Sequence, residues 1–286
     1  MAELWKGAPV AAAIADRTAA QAAALREAGI VSTLAMVRVG ARADDLSYER
    51  GAVKRCEAAG VAVRPVALPE DVTQAALLRT LADLNADAAV HGILLFRPLP
   101  APLDDEAARR AIAPEKDVDG VTDGSLAGVF TGSGAGFAPC TAQAVMELLS
   151  HYGVLLPGKR AVVCGRSLVV GRPLAMLLMA AGATVTICHS GTRDLPSVTK
   201  NADIVVAAIG RMGFFGAEHF APGQIVADVG IHFDEDAGRL RGDVRTEEAE
   251  TVAAAVTPVP GGVGSVTTAV LVSHVTEAAL RQTGAI

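Results

Sequence analysis

Aromatic residues are scarce in this chain: seven phenylalanines, two tyrosines and one tryptophan, 3% of the sequence. No lysine- or arginine-dense block occurs, and the net charge of −6 is spread over mixed signs. Both features argue against a nucleic-acid partner. Cysteines are few and isolated. Cys56, Cys140, Cys164 and Cys188 form no C-x-x-C, which offers neither a zinc site nor a disulfide framework, so no metal is expected. Each reads as a small buried hydrophobe, and reduced thiols suit the cytoplasm. An unbroken membrane span is also missing. Residues 251–276 carry no charge, but Pro258, Pro260, Gly261, Gly262 and Gly264 interrupt them. Near the N-terminus the apolar run Ala8 to Ala15 is short, follows Glu3 and closes at Asp16-Arg17. It reads as an amphipathic helix running on through Leu25 rather than a signal peptide.

What is present is a large apolar content. Of 286 residues 51% are hydrophobic and 20% charged, enough for two folded cores. Short β-branched runs alternate with longer alanine- and leucine-rich stretches. Strands are expected at 33–40, 61–68 and 90–96. Helices are expected at 48–59, closed by Gly60, and at 73–85, with Thr73 as N-cap. Strand–helix alternation implies right-handed crossovers and a parallel sheet. The second half repeats the theme, with strands at 160–164, 184–188, 203–208 and 224–229 and a helix at 173–181. A glycine-rich loop, T-G-S-G-A-G-F-A-P (131–139), precedes a helix beginning near Thr141.

After the strand 161–164 comes G-R-S-L-V-V-G-R-P (165–173). Gly165 permits a tight turn, and Gly171 lets a helix start close to the sheet. The helix N-terminus then offers free N–H groups to a pyrophosphate. The spacing is not G-x-G-x-x-G, so an ordinary strand–turn–helix connection remains the alternative. One strand later, where an NAD enzyme usually carries Asp or Glu, stands C-H-S-G-T-R (188–193). Ser190, Arg193 and Arg166 on the loop favour a 2′-phosphate and hence NADP, with NAD as the alternative because Gly191 is not basic.

Several stretches together resemble one family, the bifunctional methylenetetrahydrofolate dehydrogenase/methenyltetrahydrofolate cyclohydrolases. They include H-G-I-L-L (91–95), P-L-P (98–100), P-E-K-D-V-D-G (114–120), P-C-T (139–141), V-V-C-G-R-S-L-V-V-G-R-P (162–173), T-I-C-H-S (186–190), D-V-G-I (228–231) and T-P-V-P-G-G-V-G (257–264). The resemblance implies two α/β domains flanking a cleft. One is an N-terminal three-layer folate domain (1–140 plus 266–286), the other a Rossmann-like NAD(P) domain (141–265). It also implies a homodimer. The cofactor would lie on Gly165, Arg166, Ser167, Gly171, Ser190, Gly210, Ile231 and Thr267. The folate would lie on Tyr48, Phe96, Asp119, Pro260, Gly261 and Gly262, with Tyr48 and Asp119 at the chemistry. Asp119 would grip the pterin's amino and N–H groups.

The chain departs from that family where protons move. The family's Y-x-x-x-K helix places tyrosine and lysine about 40° apart on one face. Here Tyr48 is followed by Ala52, and Lys54 lies about 200° around the helix from Ala52. The family's V-Q-L-P-L-P is L-F-R-P-L-P, which puts Phe96 where a glutamine would bond the lysine. The paired loss implies dehydrogenase activity with weak or absent cyclohydrolase. Arg97 and His232 are the two side chains in view as substitutes. The rival readings are a non-folate C–N substrate, or a cofactor-binding protein without turnover.

Overall fold

The computed structural model describes residues 1–284. The chain opens with strand β1 (Glu3–Leu4) and helix α1 (Gly7–Glu27). Strands β2 (Thr33–Val39), β3 (Ala62–Leu68) and β4 (Gly92–Leu95) alternate with α2 (Ala43–Ala58) and α3 (Gln74–Ala86). Two short helices, α4 (Asp105–Arg110) and α5 (Asp123–Thr131), precede α6 (Cys140–His151). Then come β5 (Arg160–Cys164), α7 (Gly171–Ala180), β6 (Thr184–Cys188), α8 (Leu195–Lys200), β7 (Ile204–Ala207) and β8 (Ile225–Asp228). A hairpin of β9 (His232–Asp234) and β10 (Arg239–Arg241), helix α9 (Thr246–Ala249), strand β11 (Ala255–Val256) and helix α10 (Gly264–Thr283) follow.

The chain divides into two compact α/β units. One comprises Ala13–Cys140 and the residues from Thr268 onward. Its sheet is parallel, in the order β3-β2-β4. The central strand is buried from Leu34 to Val37, which is why it reads as a continuous apolar run rather than an alternating one. No residue of the edge strand β3 is buried, and the strand tolerates Pro65, whose missing N–H would break the ladder of a central strand. Leu77, Leu81 and Leu84 of α3, at helical spacing, close over this sheet with Val37, Ile93 and Leu95. Thr73 caps α3 by accepting from the Ala76 N–H at 3.2 Å. At the other end the Lys116 ammonium donates to the carbonyls of Leu84 (3.0 Å) and Asp87 (2.7 Å), satisfying terminal groups the helix leaves open.

The other unit comprises Met1–Ala12 and Thr141–Thr267. Its six-stranded sheet runs β1-β11-β8-β7-β5-β6, all parallel. Val162, Val205, Val226 and Val256 form its core with Phe215 and Phe220.

Two boundaries differ from expectation. Helix α2 begins at Ala43, not Tyr48, because Asp44 and Asp45 in the first turn favour the positive end of the helix and Arg42 pairs with Asp45 at 2.8 Å. The first twelve residues lie with the six-stranded sheet, not with the three-stranded unit, because β1 pairs in parallel with β11, Glu3 opposite Ala255. A two-residue edge strand carries too little periodicity to read from sequence.

Candidate active site

In the three-stranded unit α2 carries Tyr48 and the end of β4 delivers Phe96. The two rings meet edge to face, 5.9 Å between centroids and 82° between planes. Ala52 is 1% exposed and Phe96 7%. The two positions where the family resemblance puts lysine and glutamine are therefore a buried methyl and a buried phenyl. Lys54 is exposed.

The turn D-V-D-G separates its two carboxylates by role. Asp117 accepts from the backbone N–H groups of Val121 (3.1 Å) and Thr122 (2.7 Å), so it holds the turn. Asp119 has no such backbone bond to its carboxylate; the Cys140 thiol beside it donates to the Val118 carbonyl. Burial, and after it the neighbouring Asp117 carboxylate, raise Asp119 to about 6; the Cys140 thiol and the Arg97 guanidinium partly offset this. His274 fixes the peptide between them. Its Nδ1 lies 2.8 Å from the Val118 carbonyl, which can only accept, so Nδ1 carries the proton. The Cys140 Sγ sits 3.3 Å from the same carbonyl and 3.8 Å from that nitrogen. Burial, then the Asp119 carboxylate, raise the Tyr48 phenol, and a hydrogen bond with Thr268 opposes them. The arrangement offers a carboxylate to a pair of N–H donors and a neutral phenol beside it.

Both side chains considered as substitutes for the lysine already have carboxylate partners. Arg97 donates from Nε to Asp105 at 2.7 Å and from a second nitrogen to the same carboxylate, and a guanidinium does not release its proton in a protein. His232 belongs to the other unit, where its Nε2 lies 2.8 Å from the buried Asp243 carboxylate.

In the six-stranded unit the loop after β5 makes a phosphate-sized cradle. A methyl at Gly165 would stand 2.1 Å from the Ala208 carbonyl oxygen, and one at Gly171 2.2 Å from the Gly165 oxygen. Only glycine lets α7 start this close to the sheet. Ser167 Oγ accepts from the Val170 N–H at 3.1 Å and shapes the turn. At the carboxyl edge of the sheet a cavity of about 330 Å³ is lined by Gly165, Arg166, Ser167 and Ser190, among others. No aspartate or glutamate lines it. Gly171 lies behind the loop. Gly210, Ile231 and Thr267 follow or flank the same edge outside that cavity, Gly210 donating its N–H to Asp243 at 3.0 Å. Arg193 is exposed and does not line it. Pro260, Gly261 and Gly262 follow β11 in this unit, with Gly261 at φ +101°. The lining also includes Leu195, Ile209, Arg211 and Phe214, which the sequence reading did not single out. Arg211 follows β7, and its place beyond a strand's carboxyl end was the available signal.

Two of the four buried cysteines floor the cavity. Cys164 and Cys188 are register partners on β5 and β6. The two neighbouring thiols push one another apart, Cys164 up and Cys188 down.

Fold and site define a two-unit α/β protein with a dinucleotide cradle on one unit and a carboxylate–phenol pocket on the other. The tetrahydrofolate dehydrogenase/cyclohydrolase catalytic-domain model matches residues 5–119, and the NAD(P)-binding-domain model of the same family matches 139–283. The bifunctional protein FolD of Carboxydothermus hydrogenoformans is 49% identical over 279 residues, 97% of each chain. The crystal structure of the bifunctional FolD dehydrogenase/cyclohydrolase of Campylobacter jejuni superposes with a TM-score of 0.94 at 37% identity, covering 98% of this chain and 99% of that one. That of Trypanosoma brucei, complexed with NADP cofactor and inhibitor, gives 0.89 at 38%, covering 100% and 99%. The chain belongs to the tetrahydrofolate dehydrogenase/cyclohydrolase family. It is an α/β enzyme with a folate-type catalytic domain and an NAD(P)-binding domain, and dehydrogenase chemistry is its class of activity.

Proposed function

We propose that this enzyme oxidises 5,10-methylenetetrahydrofolate to the 5,10-methenyl cation with NADP, and that its cyclohydrolase activity is weak or absent. One observation carries the reading: Ala52, where the family resemblance puts the proton-transfer lysine, is a buried methyl, while the residues the resemblance assigns to binding and hydride transfer are kept. Oxidation takes a hydride from a carbon flanked by two nitrogens, which share the resulting positive charge. Positioning is the main demand. Bound NADP would accept that hydride. Asp119 would hold the pterin's donor pair, Tyr48 and Phe96 would wall the reacting carbon, and Pro260, Gly261 and Gly262 would let backbone approach the ligand. Gly165, Arg166, Ser167, Gly171 and Ser190 would hold the pyrophosphate and adenosine ribose, with Gly210, Ile231 and Thr267 toward the nicotinamide. The absence of an acidic group in the cavity supports NADP over NAD.

Hydration of the methenyl cation differs in kind. A water must lose a proton and a ring nitrogen must gain one, which calls for a group that exchanges protons near neutrality. Neither the methyl of Ala52 nor the phenyl of Phe96 can do so, and Asp119, raised to about 6, would be committed to the pterin's donor pair. We place the enzyme in the cytoplasm as a homodimer, supported by its free thiols and by the family resemblance. Parallel assays of methylene oxidation and methenyl hydration test the split. Family-typical rates in both would overturn it.

A further inference from the structure

We infer that Arg211 is the second cation of the cofactor site and selects a phosphorylated adenosine ribose. The inference rests on the NADP reading above and names a residue that reading does not use. Arg166, Ser167, His189, Ser190 and Arg211 line one cavity. The loop after β6, where a basic residue would be the direct choice, offers Gly191, and Arg193 beyond it turns to solvent outside the cavity. Arg211 reaches the same space from the loop after β7.

Its surroundings keep it ready for an anion. Three consecutive N–H groups, of Ile209 (2.6 Å), Gly210 (3.0 Å) and Arg211 (2.8 Å), donate to the carboxylate of Asp243. His232 contacts the same carboxylate at 2.8 Å. The backbone of Arg211 is thus fixed by a buried group that faces the peptide, not the guanidinium. The guanidinium lies over the Phe214 ring, 4.8 Å from its centroid, a placement that limits its rotamers while leaving its donors open. No carboxylate pairs with it among the described residues. Arg245 shows the contrast: Glu218 (2.9 Å) and Glu248 (2.6 Å) neutralise it. Two unneutralised guanidinium groups, two hydroxyls and no carboxylate form a cavity that fits a ribose phosphate and repays poorly a bare diol.

The experiment is calorimetric binding to the intact chain of adenosine 2′,5′-bisphosphate and adenosine 5′-monophosphate, in the wild type, R211M and R211K. Arg211 is exposed, so neither substitution threatens the fold. R211M is expected to bind the bisphosphate about ten- to a hundredfold more weakly, with the monophosphate changed by no more than about twofold. R211K should retain an intermediate preference, because a point charge replaces a fork. A wild type that binds both nucleotides equally would overturn the NADP reading and this inference with it. A discriminating wild type whose preference survives in R211M would overturn the role of Arg211 alone. An equal loss for both nucleotides would do the same, marking Arg211 as a general phosphate contact.

Discussion

Introducing lysine and glutamine at positions 52 and 96 is the sharpest test of the proposed split in activity. Ala52→Lys puts a four-carbon ammonium where a methyl is 1% exposed. With Phe96 still in place the new charge meets a phenyl instead of an amide, and overpacking plus an unpaired buried cation should cost about 3–5 kcal/mol of stability. Phe96→Gln alone buries an amide without a partner, at about 1–3 kcal/mol beyond the lost phenyl packing. In the double variant the amide can accept from the ammonium, so each replacement relieves the other. A coupling of about 1–3 kcal/mol is expected, roughly ten- to a hundredfold in rate beyond the product of the singles. A positioned acid–base group typically contributes ~10²–10⁴-fold to hydration. The assay follows loss of the methenyl chromophore and, in parallel, NADP reduction with the methylene substrate. Thermal unfolding of all four proteins separates stability from chemistry. The incoming cation should also pull the Asp119 carboxyl, now raised to about 6, back toward the ordinary carboxylate range. The reasoning fails if the wild type already hydrates methenyl-folate briskly, or if a stably folded double variant hydrates no faster than either single.

Three further outcomes are expected. Asp119 ionises about two units above its unfolded value, so its charge opposes folding above pH 6 and that penalty fades as the pH falls toward 4; Asp119→Asn should raise stability by about 1–3 kcal/mol at pH 7.5 while weakening folate binding, and an unchanged or lowered midpoint would count against it. Asp228, raised to about 7 chiefly by burial, acts in the same direction, whereas burial lowers His91, His219 and His274 and favours the alkaline side; the change in melting temperature between pH 5.5 and pH 8 should therefore differ between wild type and Asp119→Asn, the wild type losing more toward pH 8, and identical profiles would contradict the Asp119 carboxyl. Gly171→Ala places a methyl 2.2 Å from a carbonyl oxygen, so α7 must shift; cofactor binding should fall by at least about tenfold, and a normal affinity would show that the cradle tolerates displacement.

Local chemistry was legible where a residue's type and neighbours suffice. Thr73 was readable as an N-cap because its hydroxyl serves an N–H three residues on. Gly171 was readable because only glycine permits the close approach. The alanine and phenylalanine at 52 and 96 were plain in the strings, but only the structure shows both side chains buried. The start of α2 was not, since Asp44 and Asp45 act on the helix end without joining its apolar face. Asp117 and Asp119 look alike in sequence. Their roles separate only when Val121 and Thr122 fold back to occupy the first and leave the second open.

The linear order of residues therefore settled the family and the strand–helix alternation, because each depends on nearest neighbours or on side-chain identity. Three-dimensional folding alone decided which groups share a space. Arg211 joins Arg166, and His232 joins Asp243, only because parallel strands deliver distant loops to one edge of the sheet. That burial also sets the charge of Asp119, since the cost of ionising a carboxyl depends on what surrounds it, and no spacing along the chain records that.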